Sequence, residues 1–171
     1  ENMGPCQGEL CEHQRFCLDN KATTLTGVVY APNGEFILPN ATVYVPGVPL
    51  EHLPPIDTGA ICQRCEDEDL GAPIAGAITD ANGRFEIRHV PSGVPFPLVI
   101  KIGKWRRVVM IDPVTECETT ALPKALTSLA GSMSPDRPHD NIPKTAVVTG
   151  RVDAMECVLR KLGVVDTEFT R

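Results

Sequence analysis

The sequence predicts a mainly β fold: a β-sandwich of about seven short strands, with a disulfide-tied N-terminal segment before it and a β-turn-α extension after it. Three observations carry that expectation. Apolar and polar residues alternate in short runs closed by turn signals, the period that puts one face of a strand on a core. Sixteen prolines and fourteen glycines interrupt the chain too often for long helices. Seven cysteines, spread along 171 residues, suit covalent ties between segments rather than one block of metal ligands.

Residues 1–22 hold Cys6, Cys11 and Cys17 among polar neighbours and could hardly bury a core alone. From Thr23 the run TLTGVVYAPNG sets Leu25, Gly27 and Val29 against Thr26, Val28 and Tyr30, a strand entering a Pro-Asn-Gly turn. NATVYVPG is a second strand, with Ala41, Val43 and Val45 on one face. Residues 48–75 form a long proline-rich, acidic insertion containing ICQRCEDEDLG, in which two cysteines supply a tie. AGAITDANGRFEIRHVPSG reads as a hairpin turning at Asp-Ala-Asn-Gly. PLVIKIGKWRRVVMID gives two more strands reversing at Gly103 and Lys104.

The sandwich is thereby expected over 23–112, with a proline-rich connector over 113–143 lying along its surface. In 144–171, TAVVTG is a short strand. Asp153 and Glu156 form a capping-box-like pair, and Gly163 stops the helix between them. Met155, Val158, Leu159 and Leu162 follow helical spacing on one face and Cys157 lies opposite. A β-turn-α unit cannot bury both faces alone, so the tail is expected to be the start of an incomplete α/β domain and to lean on another chain.

Lys plus Arg number 16 and Asp plus Glu 22, a formal charge of 16 − 22 = −6 with no basic tract. That excludes the electrostatic footprint of a nucleic-acid or anionic-membrane binder. No apolar run approaches the roughly 18 residues of a membrane span. The start ENMGPCQGEL lacks the features of a signal peptide, and the cysteine count favours an oxidising, extracellular or cell-surface location with the leader already removed.

The segments TLTGVVYAPNGEFILPNATVYV and AITDANGRFEIRHVPSGVPFPLVIKIGKWRRVVMI resemble the carboxypeptidase-regulatory-like family of transthyretin-like β-sandwiches, relatives of collagen-adhesin B-type repeats. The matching elements are Gly27-Val28-Val29, the Pro32-Asn33-Gly34 turn, Ala41-Thr42-Val43, Thr79-Asp80 with Asn82 to Phe85, and Val90 to Gly93, together about half the chain. The whole chain also resembles the N-terminal part of larger secreted or surface proteins of predatory soil bacteria. The resemblance implies a non-catalytic scaffold or adhesive module, and the residues themselves suit the fold: Gly27 admits the facing sheet, Gly34 and Gly83 accept positive φ, and Phe85 fills the core beside Val29 and Val43. The adhesin branch's Lys-Asn cross-link is not implied here, since RRVVMI has no Asn.

Candidate chemistry is sparse. Cys62 and Cys65 form a C-x-x-C that, with Cys6, Cys11 or Cys17, could hold zinc or an iron-sulfur cluster. A second C-x-x-C is missing, so disulfides among Cys6, Cys11, Cys17, Cys62, Cys65 and Cys117 are the expected state, with no cofactor and no metal. The odd count leaves Cys157 as the candidate unpaired or intermolecular thiol. Asp80, Asn82 and Gly83, or the run Glu66 to Asp69, could meet calcium, but a hairpin turn and a solvated loop are the ordinary readings.

Trp105 with Arg106 and Arg107 could form a glycan-stacking or interface platform at a hairpin tip. His13, His52, His89 and His139 lie in separate segments, and no nucleophile or metalloprotease motif occurs. The expected function is therefore a non-enzymatic extracellular structural module, assembling with copies of itself or other chains through strand edges and the tail. A glycan- or protein-binding adhesive module and an accessory N-terminal domain of a larger secreted enzyme are the alternatives.

Overall fold

The computed structural model describes residues 8–56, 70–148 and 154–170. Seven strands build a sandwich: β1 (Thr24–Val28), β2 (Thr42–Val45), β3 (Ala75–Ile78), β4 (Arg84–Arg88), β5 (Phe96–Ile102), β6 (Trp105–Ile111) and β7 (Thr119–Ala121). They sort into a three-stranded sheet in the order β4-β1-β7 and a four-stranded sheet in the order β3-β2-β5-β6. All pairs are antiparallel except β1 with β7.

Local sequence explains the strand faces. RFEIR in β4 alternates exposed and buried at every residue, sending Phe85 and Ile87 inward. In β5, Phe96, Leu98 and Ile100 point into the core, which they share with Val43 of the neighbouring β2, Leu25 of the other sheet and Leu129, all with almost no exposure. Val99 points outward but is equally buried, because Leu53 of the 48–75 insertion packs there with Tyr44. The described ends of the insertion thus roof the outer face of the four-stranded sheet.

Three expectations need correction. The Asp80 to Gly83 turn forms, with Gly83 N–H donating to the Asp80 carbonyl at 2.9 Å, but β3 and β4 do not pair as a hairpin. They part into different sheets: the Thr79 side chain accepts from Ala41 N–H and donates to the Leu38 carbonyl, keeping β3 with β2, while β4 runs along β1. The seventh strand is β7, inside the stretch read as a connector. It is only three residues long and pairs parallel to β1, so no alternation announced it. At Gly27 it is not the facing sheet that closes in: a Cβ there would lie 2.8 Å from Cζ of Phe85, its partner on the neighbouring strand.

In the tail, β8 (Thr145–Ala146) pairs parallel with β9 (Phe169–Thr170), and α2 (Glu156–Leu162) lies between them in sequence. Gly163 at φ 90° ends α2 in a Schellman arrangement, its N–H on the Arg160 carbonyl at 2.9 Å and Val164 N–H on Leu159 at 3.0 Å. Met155 stands at the N-cap with no side-chain cap bond, and the expected cap Asp153 lies outside the described residues.

Candidate interaction surface

The two ends of β1 carry the features that bear on function. At its start, Cys17 is disulfide-bonded to Cys117, and Cys117 N–H donates to the Thr23 hydroxyl at 3.0 Å. The N-terminal segment is further tied by Gln14 Nε2 to the His89 carbonyl and by Ser92 N–H to the His13 carbonyl at 3.0 Å. On either side of Cys17, Phe16 is 97% and Leu18 85% exposed. Two large apolar side chains thus stand in water on a covalently anchored loop, an arrangement typical of a contact surface.

Beyond the other end of β1, about 15 Å away by the rise of its five residues, the tail docks. The sequence predicts a tail leaning on another chain, whereas its C-terminal half leans on this sandwich's first turn. Asn33 N–H donates to the Leu162 carbonyl at 2.9 Å and Asn33 Nδ2 to the Lys161 carbonyl at 2.6 Å. These are carbonyls of the last turn of α2, which helix geometry leaves without intrahelical donors. Val165 N–H reaches the Gly131 carbonyl at 3.0 Å and Met133 N–H the Glu168 carboxylate at 2.9 Å. The backbones meet so closely that a Cβ on Gly163 would lie 2.6 Å from Asn33 N.

Beyond α2, Val164 and Phe169 of the tail are buried, but α2 itself gains little from this docking. No side chain of α2 is buried; Met155 and Val158 are 52% and 50% exposed, and the Cys157 thiol is free and exposed. Arg160 and Asp166 form a surface pair with two contacts of 2.7 Å, and that hydrogen bond raises the guanidinium pKa above its ordinary value.

The expected platform of Trp105, Arg106 and Arg107 is turned into the molecule. Trp105 packs against the core and donates Nε1–H to the Ala130 carbonyl at 3.0 Å. Arg106 donates to the carbonyls of His139 at 2.8 Å and Pro54 at 2.7 Å; Arg107 donates to those of Ser128 and Ala125. Burial lowers both guanidinium pKa values, opposed in each case by the nearby Asp140 and for Arg106 also by Tyr44. A basic hairpin tip looks exposed in sequence, but here it collects carbonyls that the 125–142 segment would otherwise leave unpaired. Replacing Trp105 by alanine is expected to destabilise the fold by about 3 kcal/mol, the lower end for aromatic truncation at a half-buried site. An unchanged denaturation midpoint would return the ring to a surface role.

The edge of β6 is likewise covered. Arg106 and Asn141 exchange backbone hydrogen bonds of 2.9 and 2.8 Å, and Val108 N–H donates to the buried Asp140 carboxylate at 2.8 Å. Arg137 pairs with Asp140 at 3.0 Å. This strap takes the first half of the edge out of strand pairing, a common protection against aggregation, so of the expected contact elements this edge is already occupied.

Cys11 is disulfide-bonded as well; Cys6, Cys62, Cys65 and the acidic run Glu66 to Asp69 lie outside the described residues. Asp80 spends one carboxylate oxygen on Asn82 and Arg84 N–H groups, both at 2.8 Å, which makes it the turn's own cap. Among the described residues no cluster of His, Cys, Asp and Glu could hold a metal ion, and no helix is long and apolar enough to cross a membrane. Asn33, Asp140 and Asn141 were not singled out by sequence; the Asn-Gly dipeptide flagged a turn at Asn33 but not what the side chain would hold.

No family model matches the chain, and no curated protein matches it. Similar solved structures include chains from crystal structures of two interface mutants, N-terminal and C-terminal, of a type II cohesin-X-dockerin complex from Acetivibrio cellulolyticus. The first is 18% identical, covering 87% of this chain and 96% of that one, with a TM-score of 0.42. The second is 17% identical with the same coverage and a TM-score of 0.43. A likeness this loose assigns neither a family nor a partner to this chain.

Proposed function

We propose that this chain is a non-enzymatic, extracellular assembly module: a disulfide-stapled sandwich of the carboxypeptidase-regulatory-like kind that binds other protein chains through its tail. The observation that carries this reading is α2, a helix with an apolar stripe and no buried side chain. A helix of this length beside a two-residue parallel pair is not self-sufficient, and parallel strands ordinarily have both faces covered. A further chain over Met155 and Val158 would supply that cover, with Cys157 as the thiol meeting it. Phe16 and Leu18 are the second contact, at the opposite pole. The Cys17–Cys117 bond supports an oxidising compartment.

Native mass spectrometry of the chain without reductant tests this. Multiples of the chain or bound partner chains are expected, and Val158→Asp should disperse them without moving the denaturation midpoint, since the site is half exposed. A wild-type chain that stays alone in its native source would overturn the reading. Phe16→Ala with Leu18→Ala should likewise leave stability within about 0.5 kcal/mol while weakening assembly in the same spectra.

The accessory-domain reading has one specific support, because β8, α2 and β9 form a parallel β-α-β unit, the building block of α/β layers. A larger natural polypeptide whose following residues protect Met155 from oxidation would favour it. The glycan reading loses its platform to the inward course of Trp105, Arg106 and Arg107.

A further inference from the structure

Asn33 precedes Gly34, and Asn82 precedes Gly83. Asparagine followed by glycine is the pair most open to deamidation, because no Cβ hinders the glycine nitrogen. That nitrogen attacks the asparagine Cγ, its proton leaves with the expelled ammonia, and water opens the resulting succinimide to aspartate or isoaspartate. The two sites differ in what the side chain holds. Asn82 lies exposed in the β3–β4 turn. Asn33 donates Nδ2–H to the Lys161 carbonyl while its Oδ1 accepts from Glu35 N–H at 2.9 Å and Phe36 N–H at 3.3 Å.

We propose that Asn33 is a modification site whose deamidation irreversibly unlatches the tail from the sandwich. This rests on the reading of the tail as the partner-binding element, and its chemistry follows from the contacts of one side chain. Conversion to aspartate keeps both acceptor bonds, since a carboxylate oxygen serves Glu35 and Phe36 as well as the amide oxygen did. It removes the Asn33 side-chain donor from the Lys161 carbonyl and sets a negative charge against the C-terminal, negative end of α2. The turn is thereby kept, and this side-chain contact with the tail is reversed from attraction to repulsion. Isoaspartate adds a backbone atom and also breaks the match to Leu162.

The same contacts restrain the reaction. The glycine N–H is bonded at both sites, Gly34 to the Ala31 carbonyl at 2.8 Å and Gly83 to the Asp80 carbonyl at 2.9 Å, so what sets Asn33 apart in the docked state is that α2 holds its Nδ2. Undocking frees Nδ2, and reaction then prevents redocking. The two events are linked, and the switch runs one way.

Hydrogen exchange with peptide-resolved mass spectrometry on the full chain tests the proposal. In Asn33→Asp, amides of 159–165 should exchange about tenfold faster, the loss of a hydrogen bond of ordinary strength, while β2 and β5 keep their protection. During incubation at mildly alkaline pH, Asn33 should convert more slowly than Asn82 in the wild type. In Gly163→Ala, which cannot seat against Asn33, the rate at Asn33 should rise toward that of Asn82. Unchanged tail protection in Asn33→Asp, or an Asn33 rate indifferent to Gly163→Ala, would overturn the proposal. Should the tail be released by Asn33→Asp and partner binding remain unaffected, the latch stands and the assembly role of the tail fails instead.

Discussion

Replacing Cys17 and Cys117 together by serine is expected to lower the unfolding free energy by about 4 kcal/mol. The bond spans 100 residues, and a cross-link closing so long a loop removes more freedom from the unfolded chain than any other single feature of the described fold. It also acts locally, since Cys117 lies two residues before β7, and β7 has only three residues with which to hold its parallel pairing to β1. Guanidinium unfolding without reductant reads both effects. The midpoint should fall and the m-value rise, because an uncross-linked unfolded state exposes more surface. Both cysteines must be changed at once, or the orphaned thiol joins Cys157 as a site for disulfide exchange. An unchanged midpoint would mean that packing of β7 on β1 alone holds that edge.

Phe85→Ala is expected to cost a further 3–5 kcal/mol or so, the range for emptying an aromatic site in a packed core. The ring of Phe85 occupies the space that a side chain at residue 27 would fill, and the two residues are direct partners between β1 and β4. A double-mutant cycle isolates that pairing. Gly27→Ala alone should destabilise, since its Cβ would be pressed against Cζ and Cε1 of the ring at 2.8 and 2.9 Å. In the Phe85→Ala background the same change partly refills the cavity and should turn neutral or stabilising, a coupling of about 1–2 kcal/mol. Additive losses would show that the ring moves aside freely and that Gly27 serves another purpose.

The legible parts of this protein are those ruled by neighbours in the chain. RFEIR alternates because a strand with one wet face must, and Gly103-Lys104 turns β5 into β6 with Ile102 opposite Trp105. Gly163 ends α2 in the left-handed region because its carbonyls find donors that way. These features need only a few residues of context, so the mainly β character, most strand faces, the turns and the existence of the tail helix can all be read from short stretches of residues.

Which distant segments meet emerges only from the folded chain. The turn at Asp80 to Gly83 reads the same whether its strands pair or part into two sheets, and burial of Phe85 against β1 is what parts them. TTA at β7 has too few residues to show a period and becomes a strand only where β1 offers an open edge beside Cys17. Seven cysteines permit many pairings, and proximity to Thr23 selects Cys117. Trp105, Arg106 and Arg107 look like a surface patch until the 125–142 segment presents carbonyls to them. Asn33 looks like a turn residue until the end of α2 arrives. Alternation and turn chemistry are set by local sterics and hydrogen bonding. Pairing, cross-linking and capping at a distance are set by how burial of the whole chain is best shared, and that sum is not contained in any short stretch of residues.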